Sequence, residues 1–91
     1  MDSTVRDNVE RRRFELERNG HMAFATYERR GSDLVIRHVE AAIPLRGTGA
    51  ASELMQGVAE IARSEGRKIT PLCGYAWAWI RRHKEYSDLL N

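Results

Sequence analysis

Residues 43–52 run Ile-Pro-Leu-Arg-Gly-Thr-Gly-Ala-Ala-Ser (IPLRGTGAAS), and the way this stretch is read decides the rest of the chain. A run rich in Val, Ile and Ala ends on its left, a glycine-rich loop crosses its middle, and a helical periodicity begins on its right. Gly47 and Gly49 carry no Cβ, so the backbone there can bend tightly and approach a ligand closely. The N–H groups of such a loop, and of the first helical turn after it, lack intrahelical partners and sit at the positive end of the helix dipole. That combination suits an anion, and a diphosphate is the expected guest, with Arg46 adding a charge-assisted contact. It is not a Walker loop, because no Gly-Lys-Ser/Thr follows. It is not a dinucleotide fingerprint either, because Ser52 stands where a third glycine would be needed. A strand-to-helix turn that uses the same glycines for geometry alone fits the loop equally well.

To the right, Ala51, Leu54, Met55, Val58, Ala59 and Ala62 recur at three- and four-residue spacing, with Ile61 beside them. This predicts an amphipathic helix of four to five turns between Gly49 and Gly66, closed by Gly66 just past its end. Lys68–Cys73 follows as a short strand, where Pro71 suggests an edge or a bulge. Tyr75–His83 is expected as a second helix, and Glu85–Leu90 as a short turn or helix.

To the left, three strands are expected: a half-exposed one over residues 9–18, a more buried one over His21–Glu28, and a third over Asp33–Ala42. Asn19-Gly20 is the strongest hairpin signal in the sequence, and Arg30-Gly31-Ser32-Asp33 is a second turn. The fold class is therefore α+β, in the order βββαβα: an antiparallel three-strand meander, then a fourth strand parallel to the third, with two main helices. Residues 1–8 are polar and are expected to be a flexible N-terminus.

The 91 residues leave room for one small domain, 1–91, and exclude eight-fold β/α barrels and full doubly wound sheets. With 42% hydrophobic and 31% charged residues the composition is that of a folded soluble protein. Fifteen basic against thirteen acidic residues leave a net charge of +2, low for a dedicated nucleic-acid domain. Arg11-Arg12-Arg13 is broken up by acidic neighbours and reads as solvated strand positions. No apolar run is long enough to span a bilayer. The single cysteine, Cys73, can form no internal disulfide, which fits a cytoplasmic setting. His21, His38, Cys73 and His83 show no paired metal-ligand spacing, so no metal is expected.

Arg46-Gly47-Thr48-Gly49-Ala50-Ala51 resembles the R-x-x-G-x-[GA] acyl-CoA signature of GNAT-type N-acetyltransferases. His38-Val39-Glu40 before it, Pro71-Leu72-Cys73 after it and His83-Lys84-Glu85-Tyr86 near the end resemble the short YjdJ-type members of that superfamily, in the same order and spacing over residues 20–90. Val39 departs from the usual Thr, Lys84 from Pro, and Trp79 from a Tyr found in many relatives. The resemblance implies a minimal GNAT-like fold that binds acetyl-CoA as acyl donor between the third and fourth strands. The pyrophosphate would lie on Arg46, Gly47, Thr48, Gly49, Ala50 and Ala51, and the pantetheine arm along Ala41, Ala42 and Ile43. The acceptor would be an amine of a small molecule or a protein. A full domain of this kind is usually half as long again, which points to an open cleft, a large protein substrate or a site completed in a homodimer.

Three residues are expected to carry the chemistry. Cys73, with the acetyl group placed near it, could act as a nucleophile favoured by the start of the helix near Gly74, could line the substrate, or could simply fill the core. His38 and Glu40 share one face of their strand, and either could accept a proton from the incoming ammonium, because attack on a thioester needs a neutral amine. Trp79 cannot protonate a leaving thiolate, since indole has no usable acidic proton. The alternative to turnover is a CoA-binding or protein-interaction module without catalysis.

Overall fold

The tight turn at Asn19-Gly20 organises the N-terminal half. Both residues have positive φ (54° and 78°), the geometry that matches a two-residue hairpin to the strand twist. It joins β2 (Arg13–Arg18) to β3 (His21–Arg30), with Arg18 opposite His21. A second two-residue turn, Gly31-Ser32, joins β3 to β4 (Asp33–Ala41), and here Gly31 alone takes the left-handed conformation. The computed structural model describes residues 5–91. After β4 come a 3-10 turn (Ile43–Leu45), helix α1 (Ala50–Ser64), strand β5 (Lys68–Pro71), helix α2 (Gly74–Arg82) and a 3-10 helix over Lys84–Leu89. The sheet order is β1-β2-β3-β4-β5, antiparallel except for the parallel pair β4–β5. The α+β class and the parallel closing strand agree with the sequence.

The N-terminal reading is corrected. Residues 5–8 do not form a tail: Val5–Asn8 is a strand, β1, paired antiparallel with β2. Residues 1–4, the rest of the expected tail, lie outside the described residues. The meander therefore has four strands, and the strand expected over 9–18 begins only at Arg13. Residues 9–12 are the β1–β2 turn, closed by Arg12 N–H to the Val9 carbonyl (3.2 Å) and by Arg11 N–H to Asn8 Oδ1 (3.2 Å). Arg12 holds a positive φ of 53° without being glycine, so nothing in the residue types announced a turn. Arg11 and Arg12 are accordingly turn residues, and only Arg13 belongs to a strand.

α1 ends as expected. Gly66 has φ 69°, its N–H bonds the Arg63 carbonyl (3.1 Å), and Arg67 N–H reaches back to Ala62 (2.8 Å), a Schellman closure. Leu54, Met55, Val58 and Ala62 pack on Phe14, Leu16, Ala23, Ala25, Leu34 and Ile36. α2 adds Ala76, Trp79 and Ile80 to the same cluster, so both helices cover one face of the sheet. The other face carries Glu15, Phe24, Thr26, Val35, His38 and Glu40. The edge of β5 is closed by the chain end, where Asn91 N–H bonds the Ile69 carbonyl (2.9 Å). Among the described residues no helix is long and apolar enough to cross a membrane.

On the uncovered face Glu15 is 3% exposed and takes hydrogen bonds from Arg6 (2.7 Å), Arg13 (2.6 Å) and Asn8 (2.9 Å). Burial alone would raise its pKa, but the three donors outweigh it and hold the carboxyl at about 2, against an ordinary 4.5. The folded state thus keeps this charge where the unfolded chain has lost it. Its contribution to stability is complete above pH 4.5 and disappears as pH falls towards 2. Glu15→Gln is expected to cost about 1–3 kcal/mol in urea unfolding at pH 7, and to flatten the stability loss between those two pH values.

Candidate active site

β4 is paired on both edges only in its first half. Over Asp33–Ile36 it lies beside Lys68–Pro71, and the Ile36 carbonyl still accepts Leu72 N–H (2.9 Å). Beyond that point β5 has ended and the chain turns into α2, while β4 continues to Ala41 alone on that side. A bulge sits at the parting: Thr26 pairs with His38 and Tyr27 with Ile36, so Arg37 is an extra residue on β4. The bulge shifts the strand's alternation by one place. Leu34 and Ile36 point into the core before it, and Val39 and Ala41 lean onto the core after it. His38 and Glu40, which unbroken alternation would aim at the helices, stand exposed on the opposite face.

The same shift turns the backbone of Val39 and Ala41 outward. Ala42 N–H bonds Met22 on β3 (3.0 Å), so the groups of Ala41 and, two residues back, Val39 face the gap. The Ala41 carbonyl there accepts Arg46 Nε (3.1 Å). The carbonyls of Ala42 and Ile43 are engaged by the N–H groups of Leu45 (2.8 Å) and Arg46 (3.1 Å) in the 3-10 turn. The Ile43 side chain is 74% exposed. Val39 lines the gap instead, turned there by a bulge that no residue type signals.

In the loop, Gly47 and Gly49 have φ of 80° and 87°, and a Cβ built on either would meet no protein atom within 4 Å. Their freedom is needed for conformation, and the space above them is open. Thr48 is engaged internally: its N–H bonds Leu45 (3.2 Å), and its hydroxyl both donates to the Leu45 carbonyl and accepts Ala50 N–H (3.3 Å). The N–H groups of Gly47, Gly49, Ala51 and Ser52 have no protein partner among the described residues. Ala50 is buried beneath the loop.

A cleft of about 470 Å3 lies between these elements, lined by His38, Val39, Glu40, Ala41, Arg46, Ala51 and Tyr75. His38 Nε2 is 3.0 Å from Glu40 Oε1, and both side chains are exposed, so the pair adds little to stability and is free for other work. Tyr75, near the start of α2, is 37% exposed, and burial raises its hydroxyl pKa against the opposing charge of Arg82. It therefore carries its proton at neutral pH. Tyr75 is not among the residues the sequence points to; one turn on, Trp79 is buried, whereas Tyr75 lines the cleft.

A family model of the GCN5-related N-acetyl-transferases matches residues 13–89. The chain belongs to this family. Its fold is similar to the NMR solution structure of a candidate GCN5-like N-acetyltransferase from Staphylococcus aureus. The likeness has a TM-score of 0.70 at 22% identity and covers 100% of this chain and 91% of that one. No curated protein sequence matches.

In this family acyl-CoA is the donor, and the matched segment contains the whole cleft. Cys73 does not line it: half-buried at the N-cap of α2, it packs against the core cluster. Among the described residues no three His, Cys, Asp or Glu side chains gather as a metal site. Because Gly49 needs its left-handed φ, Gly49→Ala is expected to lower stability by about 1 kcal/mol through the backbone. Gly49→Asn should cost less, since Asn tolerates that conformation, and denaturant midpoints compare the two.

Proposed function

We propose that this protein binds acetyl-CoA in the cleft and transfers its acetyl group to an amine. The observation that carries the reading is the juxtaposition of two rows: the free N–H groups of Gly47, Gly49, Ala51 and Ser52, and the outward backbone of Val39 and Ala41, where the Ala41 carbonyl holds Arg46. The first row suits a diphosphate at a helix N-terminus. The second suits the amide groups of a pantetheine arm, as an added strand would. Arg46 joins them, since its Nε is held by Ala41 and the outer edge of its guanidinium stays available to phosphate.

When bound, the donor supplies an activated acyl thioester. The residues of this chain do the rest. His38 or Glu40, paired at 3.0 Å on the rim, takes a proton from the ammonium so that the neutral amine can attack. Tyr75, protonated at neutral pH, can give its proton to the departing thiolate. Orientation in the cleft contributes most of the gain, which a small scaffold can supply. In this reading transfer is direct, and Cys73 packs beside the site.

Acetyl-CoA at about a hundredfold excess over its Kd should raise Tm by roughly 10 °C or more, and no shift at millimolar concentration would sink the proposal. Arg46→Lys keeps the charge but loses the fork, and should weaken binding about tenfold by calorimetry. In a turnover screen over polyamines, small amines and peptide N-termini, Tyr75→Phe should lower kcat at least tenfold with the Kd for acetyl-CoA unchanged. Cys73→Ala should retain full turnover. An acetyl group on Cys73, seen by mass spectrometry together with inactivity of that variant, would replace direct transfer by a covalent route.

A further inference from the structure

Ser52 and Trp79 join α1 to α2 behind the cleft by a side-chain hydrogen bond. Ser52 is in the first turn of α1, and its hydroxyl accepts the indole N–H of Trp79 at 2.8 Å. Trp79 is 1% exposed, and its ring is clamped from behind. His83 stacks on it with centroids 3.8 Å apart and planes at 15°, and Tyr86 lies at 5.7 Å. His83 Nδ1 is also 2.7 Å from the carbonyl oxygen of Trp79 itself. The indole therefore cannot swing away, and a buried N–H is costly to leave without an acceptor.

What the bond joins gives it a role beyond packing. On the α1 side, Ser52 follows Ala51, which lines the cleft, in the turn that carries the free N–H groups. On the α2 side, Tyr75 lies one helical turn before Trp79 and lines the same cleft. We propose that Trp79 is a positioning residue. Through Ser52 it fixes the anion-binding turn of α1 against the turn of α2 that carries Tyr75, so that both present one preformed cleft. The consequence for ligand affinity rests on the acyl-CoA reading above, whereas the coupling of the two helices does not.

Two variants test it. Ser52→Ala removes the acceptor and leaves the packing intact, and Trp79→Phe removes the donor. In the free wild-type protein, backbone residual dipolar couplings from α1 and α2 should fit one rigid orientation. In both variants the couplings of α1 and α2 should depart from that joint wild-type fit, and Ser52→Thr, which keeps a hydroxyl, should restore it. Couplings that keep the joint wild-type fit in both variants would overturn the proposal. For coenzyme A, each variant should weaken binding about 3- to 10-fold, the range of one neutral hydrogen bond, and the double variant should be no worse than the weaker single one. Ile80→Val, a core truncation on α2 outside the bond, should lower Tm while leaving both the couplings and the Kd in place, and a change in them equal to that of Ser52→Ala would reduce Trp79 to a structural residue. If wild-type protein fails to bind coenzyme A, the functional reading falls and the couplings alone decide the positioning role.

Discussion

Strand β4 has two edges, and the protein depends on the fact that one of them is only half used. Along Asp33–Ile36 its backbone is satisfied by β3 on one side and β5 on the other. Past Ile36 the β5 side is vacated, because Pro71 ends that strand and Gly74 opens a helix. Unpaired backbone groups in a protein's surface must find water or a ligand. Here two of them face a gap whose far wall is the N-terminal turn of α1, another set of unsatisfied N–H groups. The fold thus sets two lines of open backbone hydrogen-bonding groups against each other across the gap.

Everything else keeps that gap open and well shaped. The core beneath it is made by one face of the sheet and the apolar stripes of both helices, with Leu54, Met55, Val58, Trp79 and Ile80 all buried in it. Charged pairs tie the periphery. Arg29 joins Asp7 on β1 to Glu65 just beyond α1, and Arg63 holds Asp88 near the chain end. The Glu15 cluster secures the strand pair farthest from the cleft. None of these groups lines the cleft, whose polar lining is His38, Glu40, Arg46 and Tyr75.

Position 79 shows how one exchange redistributes roles. A tyrosine there could supply a proton, whereas an indole cannot, and in this chain the residue is buried and tied to Ser52 instead. The hydroxyl that does face the cleft is that of Tyr75, one turn earlier on the same helix.

How much was legible in the sequence follows from the range of the forces involved. Local rules determined the hairpin at Asn19-Gly20, the closure of α1 at Gly66, the glycine loop and the period change from strand to helix, since each depends on residues close together along the chain. The sequence also placed His38 beside Glu40 on one strand face. It did not reveal β1 or the turn at Arg12, where a non-glycine residue holds a left-handed conformation because pairing on both sides of it requires one. Nor did it reveal the bulge at Arg37, which lies where β4 stays paired with β3 but parts from β5. That bulge alone turned His38 and Glu40 to the surface, chose Val39 and Ala41 over Ala42 and Ile43 to face the gap, and aligned them with the loop. Residue types set what each segment can form, and only the meeting of distant segments decided which of their groups remained free.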